Sequence, residues 1–249
     1  MTKIEKKETN FKDLIEQMFK SGAHFGYNKT RRHASVKSYV FTTKNKIDVL
    51  DLEKTCLLLD EVNKFVETLG RENKILLLVG TKAEAKKITQ ENAKIINMPY
   101  VINRWIGGTL TNFHEIKKRV EKLEKLKEEK ERGELEKYTK KERLIIDQEI
   151  EKLNMLFSGI ITMDKLPSAI FVIDSKHERI AIMEALKINI PVIGLANSDC
   201  DLRNIKYPIV ANDSSVSSIN FFIKKIIETY QKGKTMGNVE RVANDKKTN

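Results

Sequence analysis

The feature that most constrains the fold is a series of short, uninterrupted apolar runs separated by helical patterns. Runs without polar alternation are typical of strands that are covered on both faces. They lie at residues 75–79, 100–102, 169–173, 191–195 and 207–210. Helical patterns follow at residues 83–96, 177–186 and 216–230. This alternation predicts an α/β fold, a doubly wound parallel sheet with helices on both sides.

Further elements are predicted ahead of this core. Residues 39–50, YVFTTKNKIDVL, indicate a β-hairpin with its turn at Lys44 and Asn45. Helices are expected at residues 11–19 and 52–69.

Residues 113–157 interrupt the strand and helix alternation. They are rich in charge of both signs, and their apolar residues recur at spacings of three and four, which predicts two coiled-coil-like helices. Gly133 lies between the helices, and Thr139 and Glu142 have the spacing of a capping box. These features predict an antiparallel helical hairpin that is inserted in the sheet domain. A charged helix lying flat on the core explains the composition equally well, but not the central turn and cap.

Positive charge is concentrated at the two ends of the 249-residue chain, whose formal net charge is +11. Residues 1–46 carry 11 Lys or Arg against 4 Asp or Glu, and residues 224–249 carry 7 against 3. No acidic residue occurs between Glu16 and Asp48. Because unbalanced like charges repel one another, this basic arm at residues 1–46 predicts a polyanionic partner, with a solvated basic loop as the alternative.

No credible reactive centre is evident in the sequence. The two cysteines are isolated and the four histidines lack metal-site spacing, so we predict no catalytic residue, metal or other cofactor. The loop LVGTKAEAKK has one glycine and matches neither the dinucleotide nor the P-loop pattern. A Rossmann-like nucleotide-binding enzyme that uses this loop and residues 174–178 is the alternative to a non-enzymatic role.

No apolar run reaches the roughly eighteen residues that a membrane span needs, and the N-terminal sequence MTKIEKKETN is charged. We therefore expect a cytoplasmic protein without a membrane partner.

Several motifs occur together and in a fixed order. They are GAHFG (22–26), NKIDVLDLEKT (45–55), LVGTK (78–82), NRWIGGTLTN (103–112), GIITMDKLPSAIFVID (159–174), and E-x-IAI-x-EA followed by IPV (178–192). In this combination the chain resembles the bacterial-type small ribosomal subunit protein two, the universal S-two family, from about residue 11 to about residue 234. Departures from the family pattern lie at Tyr27, at residues 32–36 and in VANDSS (210–215).

The resemblance implies a flavodoxin-like five-stranded parallel sheet with strand order 2-1-3-4-5, which carries the coiled-coil hairpin as a second lobe. It also implies a structural constituent of the small ribosomal subunit, bound to small-subunit rRNA between head and body and beside other ribosomal proteins. In many bacteria the family helps to dock the large mRNA-binding protein one. The expected location is the ribosome, in the cytoplasm or in an organellar matrix or stroma.

Four segments are expected. They are an N-terminal helix and basic arm (1–46), a discontinuous α/β sheet domain (47–112 and 158–231), the coiled-coil hairpin (113–157) and a basic flexible C-terminal tail (232–249).

The candidate rRNA-binding residues are mostly cations, which pair with phosphate. Trp105 is included because an indole ring can stack on a base, and its alternative role is to pack the junction of sheet and hairpin. Gly107 and Gly108 would turn the chain into the hairpin, with Thr109 or Thr111 capping its first helix. The full set is His24, Lys29, Arg31, Arg32, Lys37, Lys44, Lys82, Arg104 and Trp105.

Overall fold

A computed structural model describes the backbone of residues 3–248 and the side chains of residues 11–239. The chain begins with α1 (Lys3–Lys20), β1 (Phe25–Asn28), β2 (Val40–Lys44), β3 (Ile47–Leu50) and α2 (Leu52–Arg71). It continues with β4 (Leu76–Val79), α3 (Ala83–Ile96), β5 (Tyr100–Val101), α4 (Phe113–Glu131) and α5 (Lys140–Phe157). The last elements are β6 (Ala169–Ile173), α6 (Arg179–Lys187), β7 (Val192–Ala196), β8 (Tyr207–Val210) and α7 (Val216–Thr248).

Five parallel strands form the main sheet in the order β5-β4-β6-β7-β8. Numbered among themselves, these strands have the order 2-1-3-4-5, so the predicted doubly wound topology is confirmed. The crossovers place α2, α3 and α7 on one side, where they pack with Leu76 and Leu78 of β4. Leu77 and Val79 pack on the opposite side with α6 and the base of α4 and α5. Neighbouring residues of a strand face opposite sides of the sheet. Because helices cover both faces of this sheet, every residue of a central strand is apolar.

A second, antiparallel sheet with the order β1-β3-β2 forms from the basic arm and the segment after it. Its β2–β3 turn is centred on Asn45 and Lys46, which both have positive φ, one residue later than predicted. A two-residue hairpin turn of type I′ needs φ above zero at both central positions, and Asn adopts that conformation readily. The segment boundary that was expected after residue 46 would therefore place β2 and β3 in different segments, although these strands pair with each other.

Helices α4 and α5 occupy the predicted insertion and are joined by residues 132–139. They contact each other side by side, with an ion pair between Lys130 and Asp147 at 2.6 Å. The predicted capping box at Thr139 and Glu142 is confirmed at the start of α5. Coiled-coil packing between the two helices stays a prediction.

The last helix differs from the expected flexible tail at residues 232–249, because α7 continues to Thr248. Gly233 explains part of the extension, since it lies directly on the backbone of α2. A Cβ atom at Gly233 would come within 2.2 Å of the Glu67 carbonyl oxygen. Residue 249 lies outside the described residues.

Within the described part of the chain, no helix combines the length and the apolar character that a membrane crossing requires.

Candidate nucleic-acid interface

The basic arm folds back over the carboxyl ends of the parallel strands. The His33 N–H donates to the Ser198 carbonyl oxygen at 2.9 Å, just after β7, and the Tyr27 N–H donates to Ser198 Oγ at 2.8 Å. After β8, the Asn212 N–H donates to the Ala23 carbonyl oxygen at 2.9 Å. In doubly wound folds this edge usually binds the ligand. Here the chain's own arm lies on the ends of β7 and β8.

Five of the predicted cations point to solvent. Each is exposed, and among the described residues none has a carboxylate within ion-pair distance. The five are Lys29, Arg31, Lys37, Lys44 and Arg104. Four of them lie in the arm, whereas Arg104 follows β5 at the opposite edge of the main sheet. These side chains are available to an external anion.

Arg32 is bound inside the protein. Its Nε donates to Asp48 Oδ2 at 2.6 Å, its Nη2 donates to the other carboxylate oxygen, and Nη2 also reaches Thr43 Oγ1 at 2.7 Å. Asp48 is fully buried, and the hydrogen bonds from Arg32 hold the pKa of that carboxyl below its ordinary value. These contacts favour a structural role for Arg32 over phosphate binding.

Lys82 is also compensated internally. Its ammonium lies 3.1 Å from Asp174 Oδ2, 3.5 Å from Asp213 Oδ1 and 3.2 Å from the Tyr27 hydroxyl. Burial acts to lower the Lys82 pKa, but Asp213 and Asp174 outweigh it and raise that pKa. Burial, together with Asp174, raises the pKa of Asp213 to about 6. Two carboxylates thus already surround the cation that was predicted to hold a phosphate.

The loop that the enzyme alternative would use is occupied by a neighbouring side chain. The Thr81 N–H donates to the Glu178 carboxylate at 3.0 Å, so this N–H at the start of α3 is already bound. Burial raises the pKa of Glu178. The Gly80 N–H is bound as well, to the Val101 carbonyl oxygen at 2.9 Å, so two backbone donors of this loop are not available to a phosphate.

Asp174, Cys200 and Asp213 place one potential metal ligand each within 4.8 Å of one another. Burial raises the pKa of the Cys200 thiol to about 12, so the thiol stays protonated at neutral pH. The Lys82 ammonium already pairs with both carboxylates and lies where their charge would attract a second cation. This chemistry does not fit a bound cation.

Trp105 is 7% exposed and packs in the core that joins the sheet to the hairpin. Its indole Nε1–H donates to Glu184 Oε1 at 3.1 Å. A buried indole has no free face for a base, so these contacts favour the packing alternative for Trp105.

Glu184 organises the loop that contains Trp105. Its carboxylate also accepts the Gly108 N–H at 2.7 Å and the Leu110 N–H at 3.0 Å, as well as the N–H and hydroxyl of Thr111 at 3.3 Å. Burial acts to raise the Glu184 pKa, but the hydrogen bonds from Gly108, Leu110, Trp105 and Thr111 outweigh it and lower that pKa. One buried carboxylate on α6 thus fixes the entry to the hairpin.

The predicted caps of the first hairpin helix are wrong. Thr111 donates to Glu184, and the Thr109 hydroxyl donates to the Ile106 carbonyl oxygen at 2.6 Å. Asn112 occupies the N-cap position of α4 without a side-chain cap. Of the two glycines, Gly108 has a φ of +92° and makes the turn.

His24 is half-buried between two phenylalanine rings, at centroid distances of 4.4 Å from Phe19 and 4.1 Å from Phe25. Burial lowers its pKa, which favours the neutral imidazole. His24 thus supports neighbouring side chains and adds no charge to the arm at neutral pH.

The sequence interpretation overlooked the carboxylates that bind the predicted site residues inside the protein. Asp48 was visible as the first acidic residue after a long gap, and Glu184 as a charged residue between the apolar residues of the E-x-IAI-x-EA motif. Nothing in the sequence indicated that Asp174 and Asp213 meet at Lys82, because the three come from separate strand ends.

Comparisons with known proteins give one result across the chain. The family model for Ribosomal protein S2 matches residues 18–233. A protein of Roseiflexus castenholzii named small ribosomal subunit protein uS2 is 43% identical over 221 residues, which are 88% of this chain and 84% of that protein. Proteins with the same name from Dictyoglomus thermophilum and Chlorobaculum tepidum are 39% and 36% identical. The first alignment covers 90% of this chain and 91% of its relative, and the second covers 89% of each.

Proposed function

Because this chain belongs to the ribosomal protein S2 family, we propose that its basic arm binds small-subunit rRNA at the junction of head and body. Family membership itself makes the protein a structural constituent of the small ribosomal subunit and locates it in the ribosome. Family membership also favours a non-enzymatic role and rules against the alternative, a Rossmann-like nucleotide-binding enzyme.

The observation that carries the proposal is the group of uncompensated cations on the arm. The exposed cations are Lys29, Arg31, Lys37 and Lys44. By contrast, Arg32 pairs with buried Asp48, and Lys82 pairs with Asp174 and with buried Asp213. When exposed cations without counter-charges bind phosphates, they displace the counterions that are condensed on the RNA. The release of these counterions drives RNA binding. Arg104 adds a cation at the carboxyl end of β5.

The hairpin of α4 and α5 is proposed to contact neighbouring small-subunit proteins, including the large mRNA-binding protein one where it is present. This part of the proposal rests on the family resemblance. Its α5 surface supports such a contact, because Leu144, Ile145 and Met155 are exposed there.

Salt-dependent binding tests the rRNA contact. The affinity of the full chain for small-subunit rRNA should fall as salt rises, because phosphate contacts dominate it. Replacing Lys29, Arg31, Lys37 or Lys44 by Ala should reduce the slope of log affinity against log salt by about 0.7 to 0.9 each. Lys87→Ala is the matched control, since Lys87 is an exposed lysine on α3 and should leave the slope unchanged. An affinity that does not depend on salt would contradict the proposal.

Binding within the subunit requires a second measurement. Tagged protein should sediment with small subunits in sucrose gradients, and crosslinks from the arm should map to rRNA at the head and body junction. Arg104→Ala should weaken incorporation. Crosslinks confined to another region of the subunit would overturn the proposed location.

A further inference from the structure

The outer face of α6 is apolar at its centre, although it lies at the surface of the protein. Ile180 is 61% exposed, Met183 is 41% exposed and Leu186 is 39% exposed. Their spacing of three residues places them in one row, because residues i and i+3 are neighbours on a helical surface. The residues that α6 contributes to the core are Ala181, Ile182 and Ala185. The main sheet is therefore covered without the exposed row.

Two cations border this row. Arg179 and Lys187 lie four residues before and four residues after Met183, so one lies on each side of the row. Both are exposed, and among the described residues neither has a carboxylate within ion-pair distance. The two carboxylates of this segment, Glu178 and Glu184, are buried and accept hydrogen bonds from other loops. The outer face of α6 thus carries two positive charges and no negative charge.

This combination of apolar and positive side chains distinguishes between partners. RNA would pair with the cations, but bases stack on aromatic rings, and the row contains no aromatic residue. A second copy of the chain would place the same face against itself across a two-fold axis, so that like charges would meet. A protein segment with apolar and acidic residues matches both the row and the cations.

We propose that the outer face of α6 is a docking surface for an acidic amphipathic helix of a neighbouring small-subunit protein. The row of Ile180, Met183 and Leu186 is a ridge of the i±3 type, which packs into the grooves of a second helix. Carboxylates beside the apolar stripe of that helix would pair with Arg179 and Lys187. This surface shares no residue with the basic arm or with the hairpin of α4 and α5, so the inference goes beyond the proposed function.

The test compares two receptors for the full chain. One is naked small-subunit rRNA, and the other is a small subunit from which this protein has been removed and which keeps its other proteins. Met183→Asp places a carboxylate in the middle of the row. It should lower affinity for the depleted subunit by at least about tenfold, the contribution of one buried apolar side chain. Its affinity for naked rRNA should equal that of wild type.

Matched variants separate docking from other effects. Met183→Leu keeps an apolar side chain and should bind normally. Ile95→Asp changes an exposed apolar residue of α3 in the same way and should have no effect. Arg179→Glu and Lys187→Glu should each weaken binding to the depleted subunit by about two- to fivefold, as expected for exposed ion pairs. Circular dichroism checks that each variant is folded.

A photocrosslinking residue in place of Met183 identifies the partner in assembled subunits. We expect crosslinks to one small-subunit protein, within a helix whose apolar stripe is flanked by Asp or Glu. Crosslinks to rRNA or to a second copy of this chain, or the absence of any crosslink, would overturn the inference.

The outcomes distinguish this inference from the proposed function. Unchanged affinity of Met183→Asp for the depleted subunit overturns docking at α6 and leaves rRNA binding by the arm intact. Equal losses of affinity for naked rRNA and for the depleted subunit would indicate RNA on this face and would also overturn the inference. A wild-type chain that does not bind naked rRNA overturns the proposed function, while docking at α6 is still measured on the depleted subunit.

Discussion

Glu184→Gln is the most informative single substitution at the base of the hairpin. Oε1 accepts the Trp105 indole N–H and the Gly108 N–H, while Oε2 accepts the Leu110 N–H and both donors of Thr111. Glutamine has nearly the same shape but only one carbonyl oxygen. Its amide nitrogen must therefore face either the first pair of donors or the second group.

The expected cost follows from these donors. In either orientation at least two N–H groups lose their acceptor, one of them buried and the other partly buried, and each unsatisfied buried donor costs about 1–3 kcal/mol. We expect Glu184→Gln to lower the free energy of unfolding by about 4 kcal/mol in total. For a chain of this size that corresponds to a decrease in Tm of about 8–16 °C.

Urea unfolding followed by tryptophan fluorescence measures the effect, because Trp105 is the single tryptophan and lies in the affected loop. Glu151→Gln on α5 is the control, since Glu151 is exposed, and its free energy of unfolding should stay within about 0.5 kcal/mol of wild type. An equally small change for Glu184→Gln would refute the assigned role of the carboxylate.

The pH dependence gives an independent check. The pKa of Glu184 in the folded protein lies below its ordinary value of 4.5. A lowered folded-state pKa contributes stability that is complete above the unfolded-state pKa and is lost as pH falls through the folded-state value. The difference between wild type and Glu184→Gln should therefore be constant near neutral pH and shrink as pH falls below 4.5. A difference that does not change with pH would contradict this explanation.

Three further substitutions test other parts of the fold by chemical denaturation. Lys82→Met should destabilise the protein by about 3–5 kcal/mol at pH 8, because it leaves Asp213 buried without its cation; since the pKa of Asp213 in the wild type is raised to about 6, the loss should shrink as pH falls from 8 towards 6, below which Asp213 is protonated with or without Lys82, and a loss that does not change over this range would contradict it. Gly233→Ala should cost about 1–3 kcal/mol because its Cβ would meet the α2 backbone, whereas Gly107→Ala meets no atom within 4 Å and should be neutral; stabilisation by Gly233→Ala, as helix propensity alone predicts, would refute the close approach. Thr139→Ala should cost about 1 kcal/mol by removing the capping box of α5, and an unchanged midpoint would show that the box contributes nothing.

Local patterns predicted most of the secondary structure. The strands at residues 169–173 and 207–210 and the helix at residues 83–96 have the expected bounds. Each of these elements has a local signal, an apolar run for a strand or a helical period for a helix. Their prediction therefore needs no information about distant contacts. The length of α7 was not predictable in this way, because Gly233 reads as a helix breaker until α2 is placed against it.

The candidate interface was predictable only as a charge excess. The sequence identified the basic arm but could not separate Lys29, which is exposed, from Arg32, which is bound to Asp48 sixteen residues away. The same holds for Lys82, whose partners Asp174 and Asp213 follow other strands. Ion pairs with distant carboxylates determine which cations remain available to an external anion. A single sequence does not show which residues form these pairs.

The attachment of the arm has a consequence for synthesis of the protein. Tyr27 and His33 contact Ser198, and Ala23 contacts Asn212, so the N-terminal arm reaches its place only after residues 198 and 212 have been made. Contacts between residues so far apart along the chain form late, since a long loop must close first. A nascent polypeptide that ends before residue 198 therefore has its arm unattached, and the arrangement that the proposed rRNA binding needs requires synthesis up to residue 212.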